Sequence, residues 1–360
     1  MEKFNKVISK MKDENINQFV ICDAGSIYYL TGQMFHTGHR MLALVISTDK
    51  KPVLYIHEMF PTNEMNVDID VCYWKDTDDY LYDLYNELDN EKQVVVDKYF
   101  EARFVIGLSE YGFSLPLKVG SYLIDDIRAI KTDEEIKLME ASSKINDMVM
   151  EKMQAYIASY VGELTENHLK EKLIEFYSEY TDEGFSFHPI ICFGKNAADP
   201  HHEIDDSVLQ SGNCIVIDIG CMKDGYASDM TRTVFYREVS DLHREIFEIV
   251  KEANKRAEAF VRPGVKLSEI DAKARDYITE KGYGEYFNHR LGHFIGMEVH
   301  EAGDLSATND NIVKEGMIFS IEPGIYIKDK EIGVRIENLV VVTSDGCRSL
   351  NNVSEDIKIL

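Results

Sequence analysis

The sequence is poor in the features that mark several specialised classes of protein. Its 360 residues include seven prolines, one tryptophan and six cysteines, and no two cysteines have Cys-x-x-Cys spacing. No apolar run approaches the roughly 20 residues of a membrane-spanning helix. The amino-terminal stretch MEKFNKVISKMKDENINQ lacks the apolar segment of a signal peptide. We therefore expect a cytoplasmic protein with reduced thiols and no contact with a membrane.

Basic residues are also few in comparison with acidic ones. Lys and Arg number 39 against 64 Asp and Glu, which gives a formal net charge of −25. Such a charge repels nucleic acid and anionic lipid, so we expect neither as a partner. It is compatible with binding multivalent cations, although a solvated surface accounts for most of these acids. The hydrophobic content of 44% and the length are sufficient for two domains with sizeable cores.

Strand-like and helix-like segments alternate over the first third of the chain. Apolar runs such as FVICDA, MLALVIS and KQVVVD predict strands, and DDYLYDLYNELDN predicts a helix. A long helical pattern then begins after Thr132, which forms a predicted capping box with Glu135. We accordingly predict an α/β (α+β) protein with a small amino-terminal α/β domain over residues 1–127 and a second domain over residues 128–360.

The second domain contains a weak internal repeat. Leu164-Thr165-Glu166 precedes one amphipathic helix pattern and aligns with Leu267-Ser268-Glu269, which precedes another, at an offset of 103 residues. One match of this kind can arise by chance. It gains weight because pairs of acidic residues recur at nearly the same offset.

The first acid pair lies in the mainly apolar stretch IVIDIGCMKDGYASDMTRTV. A carboxylate in a buried strand costs several kcal/mol unless it is paired or binds a cation. We predict a hairpin that turns between Lys223 and Asp224. That register places Asp218 directly opposite Asp229, with Cβ atoms about 4.5–5.5 Å apart. Two anions at this distance require a cation between them.

The second acid pair lies in SIEPGIYIKDKEIGVRIENLVVV. We predict a turn at Asp329-Lys330, which places Glu322 opposite Glu337. Arg335 then lies on the same face as Glu337. A single acid in such a strand is often a solvated charge at the sheet edge, but two mirrored pairs are not explained in that way. We therefore predict two similar half-domains that each contribute two carboxylates.

Histidines lie between and before these pairs. His293 and His300 flank a glycine-rich segment in RLGHFIGMEVHE, and His201 follows a proline in the loop FGKNAADPHHEID. A lone histidine is more often a core residue than a ligand, and the His201 loop taken alone is typical of a surface. Four carboxylates and one imidazole nevertheless form a hard ligand set that two divalent cations neutralise. Mn²⁺ suits this set best, with Co²⁺ or Zn²⁺ as alternatives.

At these residues the sequence resembles the pita-bread metallopeptidase family (M24), which includes prolidase, aminopeptidase P, methionine aminopeptidase and creatinase. The resemblance covers nearly the whole chain. Residues in five motifs match the family's metal ligands, namely Asp218 (VIDIG), Asp229 (SDMTRT), His293 (GHFIGMEVHE), Glu322 (IEPG) and Glu337 (RIEN). His201 and His300 match its substrate and transition-state histidines, and Arg335 matches the arginine of its RxE motif.

The resemblance implies a creatinase-like amino-terminal domain followed by a pseudo-twofold pita-bread catalytic domain. Methionine aminopeptidases lack the extra domain and creatinases lack the metal ligands, which leaves the proline-specific peptidases. The substrate would be a small peptide with proline in the second position. In such a mechanism Glu322 moves a proton to the proline nitrogen, while His201 or His300 stabilises the oxyanion.

The resemblance leaves alternatives within and beyond this class. The length of the chain favours a prolidase, which takes dipeptides, and an aminopeptidase P that takes longer peptides is the alternative. A catalytically inactive scaffold is a third, which the complete ligand set disfavours. The resemblance also implies a homodimer, in which His39 or Arg40 would reach the proline carboxylate in the other subunit's site.

Two residues depart from the family pattern. Phe294 occupies a position where glycine is usual, and its ring beside a ligand suggests a narrower pocket. Gly303 occupies a position where proline is common, and we expect no functional consequence.

Overall fold

The computed structural model describes residues 1–114, 116–200 and 202–360. Its chain divides into two compact units, Met1–Arg128 and Ala129–Leu360. Each unit combines helices with sheets, so the predicted α/β class is confirmed. Among the described residues, no helix has the length and apolarity needed to cross a membrane. His201, one of the predicted site residues, lies outside the described residues.

A six-stranded sheet of mixed direction forms the core of the first unit. Its strands are β1 Gln18–Ile21, β2 Ala43–Ser47, β3 Val53–His57, β4 Asp70–Trp74, β5 Val94–Val96 and β6 Lys118–Val119. They follow the order β4-β3-β2-β1-β5-β6, and β2 is antiparallel to both of its neighbours while the other pairs are parallel. The helices are α1 Glu2–Asp13, α2 Ala24–Thr31, α3 Tyr80–Glu87, α4 Ala102–Glu110 and α5 Tyr122–Ala129.

The loop before β2 carries the two residues predicted to reach a substrate carboxylate. His39 is exposed. Arg40 forms a bidentate pair with Asp76, with Nε 3.1 Å from Oδ1 and Nη2 3.0 Å from Oδ2. The guanidinium is thus already engaged with a carboxylate of its own unit.

Four helices and several small sheets build the second unit. The helices are α6 Asp133–Ser159, α7 Glu166–Ser178, α8 Asp241–Phe260 and α9 Leu267–Glu280. The strands of its first half are β7 Ile190–Phe193, β8 Cys214–Ile219, β9 Met222–Lys223, β10 Tyr226–Ala227 and β11 Met230–Phe235. Those of its second half are β12 Gly292–Phe294, β13 Glu301–Leu305, β14 Ile318–Ile321, β15 Gly324–Ile327, β16 Ile332–Arg335, β17 Asn338–Val342 and β18 Cys347–Ser349. The larger sheets have the orders β11-β8-β7 and β13-β12-β14-β17-β18.

Matched hydrogen bonds relate the two halves. A buried asparagine on each long helix donates to the carbonyl at the end of a central strand, Asn146 to Ile219 on β8 and Asn254 to Ile321 on β14, both at 2.8 Å. The predicted repeat is therefore present. Its alignment at the second helix is wrong by two residues, because α9 begins directly after Lys266 and Ser268 lies within its first turn.

The predicted capping box at the start of α6 is present. Thr132 accepts a hydrogen bond from the amide of Glu135, whose carboxylate accepts one from the amide of Thr132. This reciprocal pair satisfies two amides that the first turn of a helix leaves without partners.

The first hairpin differs from its predicted register. Asp218 pairs with Thr231 rather than Asp229. The reason lies in the turn, where Asp224 and Gly225 adopt φ values of 50° and 74°. An Asp-Gly pair with positive φ favours a tight two-residue turn, which moves the hairpin centre towards the carboxyl terminus. Side chains alternate between the two faces of a strand, so a shift of two residues does not change the face. Asp229 therefore stays on the same face as Thr231, the residue opposite Asp218.

The second hairpin follows its predicted register. Its turn is a short 3-10 segment at Lys328–Lys330. The pairs that flank the two glutamates are Ile321 with Asn338 and Gly324 with Arg335. Glu322 and Glu337 lie between these pairs, where the hairpin passes from one sheet to another.

The two departures from the family pattern compensate each other. The ring of Phe294 is 2% exposed and packs in the hydrophobic core, with its centre 5.6 Å from that of Phe319. Gly303 has φ of +117°, and a Cβ atom there would lie 2.7 Å from the Phe294 ring. The expectation that Phe294 narrows the pocket is therefore wrong, because the ring fills core space that only a glycine at 303 leaves open.

We predict that Gly303→Ala lowers the free energy of unfolding by about 1–3 kcal/mol, because it overpacks the Phe294 ring. Gly264→Ala is the matched control, since Gly264 also has positive φ, at +93°, but nothing lies within 4 Å of its added Cβ. Denaturant unfolding should show the larger loss for Gly303→Ala, and Phe294→Leu should relieve the excess. If the two alanine variants lose the same free energy of unfolding, the Phe294 ring is not the reason for glycine at position 303.

Candidate metal centre

A cavity of about 410 Å³ in the second unit collects most of the predicted site residues. Neighbouring strands deliver them from both halves. The residues that line the cavity include Asp218 on β8, Asp229 before β11, His293 on β12, Glu322 after β14 and Glu337 before β17, together with His300 and Arg335. Residues more than a hundred positions apart therefore meet in one place.

Three carboxylates in this cavity are buried and incompletely hydrogen-bonded. Asp218 Oδ1, Asp229 Oδ1 and Glu337 Oε1 have no hydrogen-bond partner among the described residues. Burial, followed by the charge of Asp218, raises the pKa of Asp229, and burial with the charge of Asp229 raises that of Glu337. An unpaired buried acceptor costs about 1–3 kcal/mol, and more when it is charged. Cations bound among these oxygens would remove the cost, so the residues fit a metal centre.

His293 is oriented as a metal-binding imidazole. Its Nδ1 lies 3.3 Å from the Phe294 carbonyl, to which it donates, so Nε2 is left as the acceptor atom. Nε2 is 3.4 Å from Asp229 Oδ2 and 3.5 Å from Glu322 Oε1. Asp229, His293 and Glu337 each offer one possible ligand atom, and these three atoms lie within 4.8 Å of one another.

A second group with ligand-type residues provides a contrast. Glu166, Cys192 and His202 also bring one such atom each within 4.8 Å of one another. However, Glu166 Oε1 accepts two hydrogen bonds at 2.8 and 3.0 Å, and Oε2 accepts two at 2.9 and 3.1 Å, one of them from His202. This carboxylate is already satisfied, so the group forms a hydrogen-bonded cluster, and the unpaired oxygens make the other group the better candidate for a metal centre.

Arg335 connects the candidate ligands of the two halves. Its Nη2 lies 2.5 Å from Asp218 Oδ2, and its Nε donates to Thr231 Oγ1 at 3.0 Å. Thr231 in turn donates to Glu337 Oε2 at 2.7 Å, while Arg335 Nη1 donates to the Tyr326 hydroxyl at 2.8 Å. The guanidinium is buried, so it compensates part of the negative charge and fixes the orientation of two ligands.

His300 lies beside His293. The two ring centres are 4.3 Å apart and the rings are nearly perpendicular. Burial, and then the neighbouring His293, lowers the pKa of His300 to about 4. The imidazole is therefore neutral at pH 7 and has one N–H available as a hydrogen-bond donor to a group in the cavity.

Several site residues were not identified from the sequence. Thr231 and Tyr326 contact Arg335 directly, and His289 and Arg290 line the cavity. His289 donates from Nδ1 to the Arg290 carbonyl at 2.7 Å, and its buried Nε2 has no hydrogen-bond partner among the described residues. Spacing was the available signal, because Thr231 lies two residues after an acid on the same strand face and His289 lies four residues before His293.

Comparisons with known proteins agree with this geometry. The chain belongs to the metallopeptidase family M24, whose model matches residues 137–344, and a creatinase/prolidase amino-terminal domain model matches residues 3–130. A Xaa-Pro dipeptidase from Pyrococcus horikoshii is 32% identical over 99% of this chain and 98% of its own. The predicted family is thus confirmed, and with it a metal-dependent peptidase that uses divalent ions.

Solved structures show the same fold. A dipeptidase from Pyrococcus horikoshii OT3 superposes with a TM-score of 0.90 at 32% identity, covering 99% of this chain and 100% of that one. An X-Pro aminopeptidase from Thermotoga maritima MSB8 superposes with a TM-score of 0.80 at 28% identity, covering 96% and 98%. The fold alone is therefore shared by proteins named for either activity.

We predict that Asp229→Asn abolishes activity and loosens at least one metal, because it removes one of the buried charges that balance the cations. Metal analysis of the purified protein measures the loss. Glu166→Gln is the matched control, since it neutralises a buried carboxylate of the satisfied cluster and should leave metal content unchanged. Full activity after exhaustive chelation, with no metal found, would refute the centre.

Proposed function

We propose that the protein is a dinuclear-metal-dependent Xaa-Pro dipeptidase, or prolidase. The observation that carries the proposal is the group of four carboxylates and one imidazole that lines the cavity, in which three buried carboxylate oxygens have no hydrogen-bond partner among the described residues. The similarity to the Pyrococcus dipeptidase over the whole chain supports it. In this proposal residues 1–127 form the creatinase-like domain and residues 128–360 the catalytic domain.

The proposed metal ligands are the five residues matched from the sequence: Asp218, Asp229, His293, Glu322 and Glu337. Their hard oxygen donors favour Mn²⁺, with Co²⁺ or Zn²⁺ as alternatives. When bound, two such ions would supply a water molecule of lowered pKa as the nucleophile. Arg335 holds Asp218 in place, and this role follows from their 2.5 Å contact.

A Xaa-Pro bond requires machinery of this kind because its tertiary amide has no N–H to hold. Neutral His300 would donate a hydrogen bond to the carbonyl oxygen as negative charge develops there. His201 is proposed to do the same, and the residue before it, Pro200, lines the cavity. Glu322 is the most open of the described ligands, with 17% of its side chain exposed, and would carry a proton to the proline nitrogen.

We predict that His293→Ala lowers metal occupancy, because it removes a ligand. His300→Ala and His201→Ala should instead lower kcat by about 10²–10³-fold, as expected for loss of an oxyanion donor, and leave the metals bound. Metal analysis beside steady-state kinetics separates the two roles. Loss of metal in His300→Ala but not in His293→Ala would reverse the assignment.

A dipeptidase must bind the carboxylate of the proline, which requires a cation. Arg290 lines the cavity and is exposed. Arg40 is a weaker candidate than the sequence indicated, because it is paired with Asp76. We therefore propose Arg290 as the carboxylate-binding residue, and keep His39 and Arg40 of a second subunit as the alternative.

Hydrolysis of Ala-Pro beside Ala-Pro-Ala in Mn²⁺-containing buffer tests the substrate. The wild type should prefer Ala-Pro. Arg290→Ala should raise KM for Ala-Pro by about 10–100-fold, which corresponds to a charge-assisted hydrogen bond of about 1.5–3 kcal/mol, and change KM for Ala-Pro-Ala much less. Arg40→Ala is the control and should have little effect. Preference of the wild type for Ala-Pro-Ala would indicate the aminopeptidase P alternative.

We also propose that the protein is a cytoplasmic homodimer. Six free thiols are compatible with a reducing compartment. Val105 and Ile106 on α4 expose apolar side chains that a second subunit would cover. Light scattering of the active enzyme decides the oligomeric state, and a fully active monomer would contradict the dimer.

A further inference from the structure

A buried ion pair includes the residue that follows His300 in the chain. Lys131 Nζ is 2.9 Å from Glu301 Oε2, and their side chains are only 2% and 5% exposed. Glu301 is the residue after His300 and the first of β13. Lys131 is anchored by its own backbone, whose amide donates to the Gly316 carbonyl at 2.8 Å. An anchored cation is therefore paired with the residue at the end of the loop that carries the histidine.

The other oxygen of Glu301 holds the beginning of the same loop. Oε1 accepts a hydrogen bond from the amide of Met297 at 3.0 Å. The carboxylate lies so close to the backbone of Gly296 that a Cβ atom there would be 2.5 Å from Oε1. Both ends of the segment between Gly296 and Glu301 are thus tied by one carboxylate group.

A buried pair of this kind is weak evidence for a contribution to stability. The desolvation of two charges offsets most of their attraction, and apolar residues of similar size often stabilise a protein equally well. What an apolar residue cannot reproduce is the acceptor that Met297 requires. The pair is therefore expected to affect the conformation of the loop more than the stability of the fold.

We propose that Glu301, held by Lys131, is a positioning residue that fixes the loop from Gly296 to His300 and so places the imidazole of His300 beside His293. This inference rests on the proposed function, since His300 is the group through which it affects hydrolysis. Neither Lys131 nor Glu301 is proposed to touch the substrate.

Two double variants separate positioning from simple stabilisation. Lys131→Met/Glu301→Gln and Lys131→Met/Glu301→Leu both remove the two charges and change volume little. Only glutamine retains an acceptor for the Met297 amide. We expect kcat for Ala-Pro to be at least tenfold lower in the leucine variant than in the glutamine variant, with similar KM and metal content.

Hydrogen exchange provides a readout that does not depend on activity. Amides of residues 295–300 should exchange faster in the leucine variant than in the glutamine variant. Equal kcat and equal exchange in the two variants would overturn the proposal and leave a purely structural ion pair. If the wild type does not hydrolyse Ala-Pro, the proposed function fails, and the exchange rates still decide whether Glu301 fixes the loop.

A single substitution covers the case in which a double variant does not fold. Gly296→Ala retains both charges but places a methyl group where the Glu301 carboxylate lies. The expected result is a fall in kcat of at least tenfold with metal content unchanged. A variant with wild-type kcat would contradict the proposal, because the carboxylate would then have moved without effect on His300.

Discussion

The second unit depends on how the repulsion among the buried carboxylates of its cavity is compensated. Asp218, Asp229 and Glu337 are all at most 8% exposed, and each has an oxygen without a hydrogen-bond partner among the described residues. The buried guanidinium of Arg335 compensates part of this charge. Since an uncompensated buried charge is strongly destabilising, cations bound in the cavity would stabilise this arrangement.

The duplicated architecture brings these candidate ligands together from two halves. Each half places one acid at or just after the end of a central strand and one just before the strand that pairs with it, so the two hairpins converge. Thr231 in the first half and Arg335 in the second form a hydrogen-bonded chain across the join. The loop that carries His300 is secured separately by Lys131 and Glu301. Ligand positions and the proposed oxyanion donor thus rest on different interactions, which allows metal binding and turnover to be altered independently.

Local chemistry was predictable from the sequence, and contacts between distant residues were not. The capping box at Thr132 and the register of the second hairpin follow from residues a few positions apart, and the ligand set was recognisable because each ligand lies in a distinctive motif. The predicted register of the first hairpin was wrong because positive φ at Asp224 moves the centre of the turn. Thr231–Glu337 and Lys131–Glu301 join residues 106 and 170 positions apart, and no periodicity or spacing in one sequence connects them. The core position of Phe294 was missed for the same reason.

Anomalous diffraction from crystals grown with Mn²⁺ is the most direct test of the central claim. The account predicts two anomalous peaks in the cavity, about 3.5–4 Å apart, surrounded by Asp218, Asp229, His293, Glu322 and Glu337. Arg335 should still contact Asp218 when the ions are bound. A cavity with no anomalous peak in crystals of active enzyme, or peaks only at Glu166, Cys192 and His202, would contradict it.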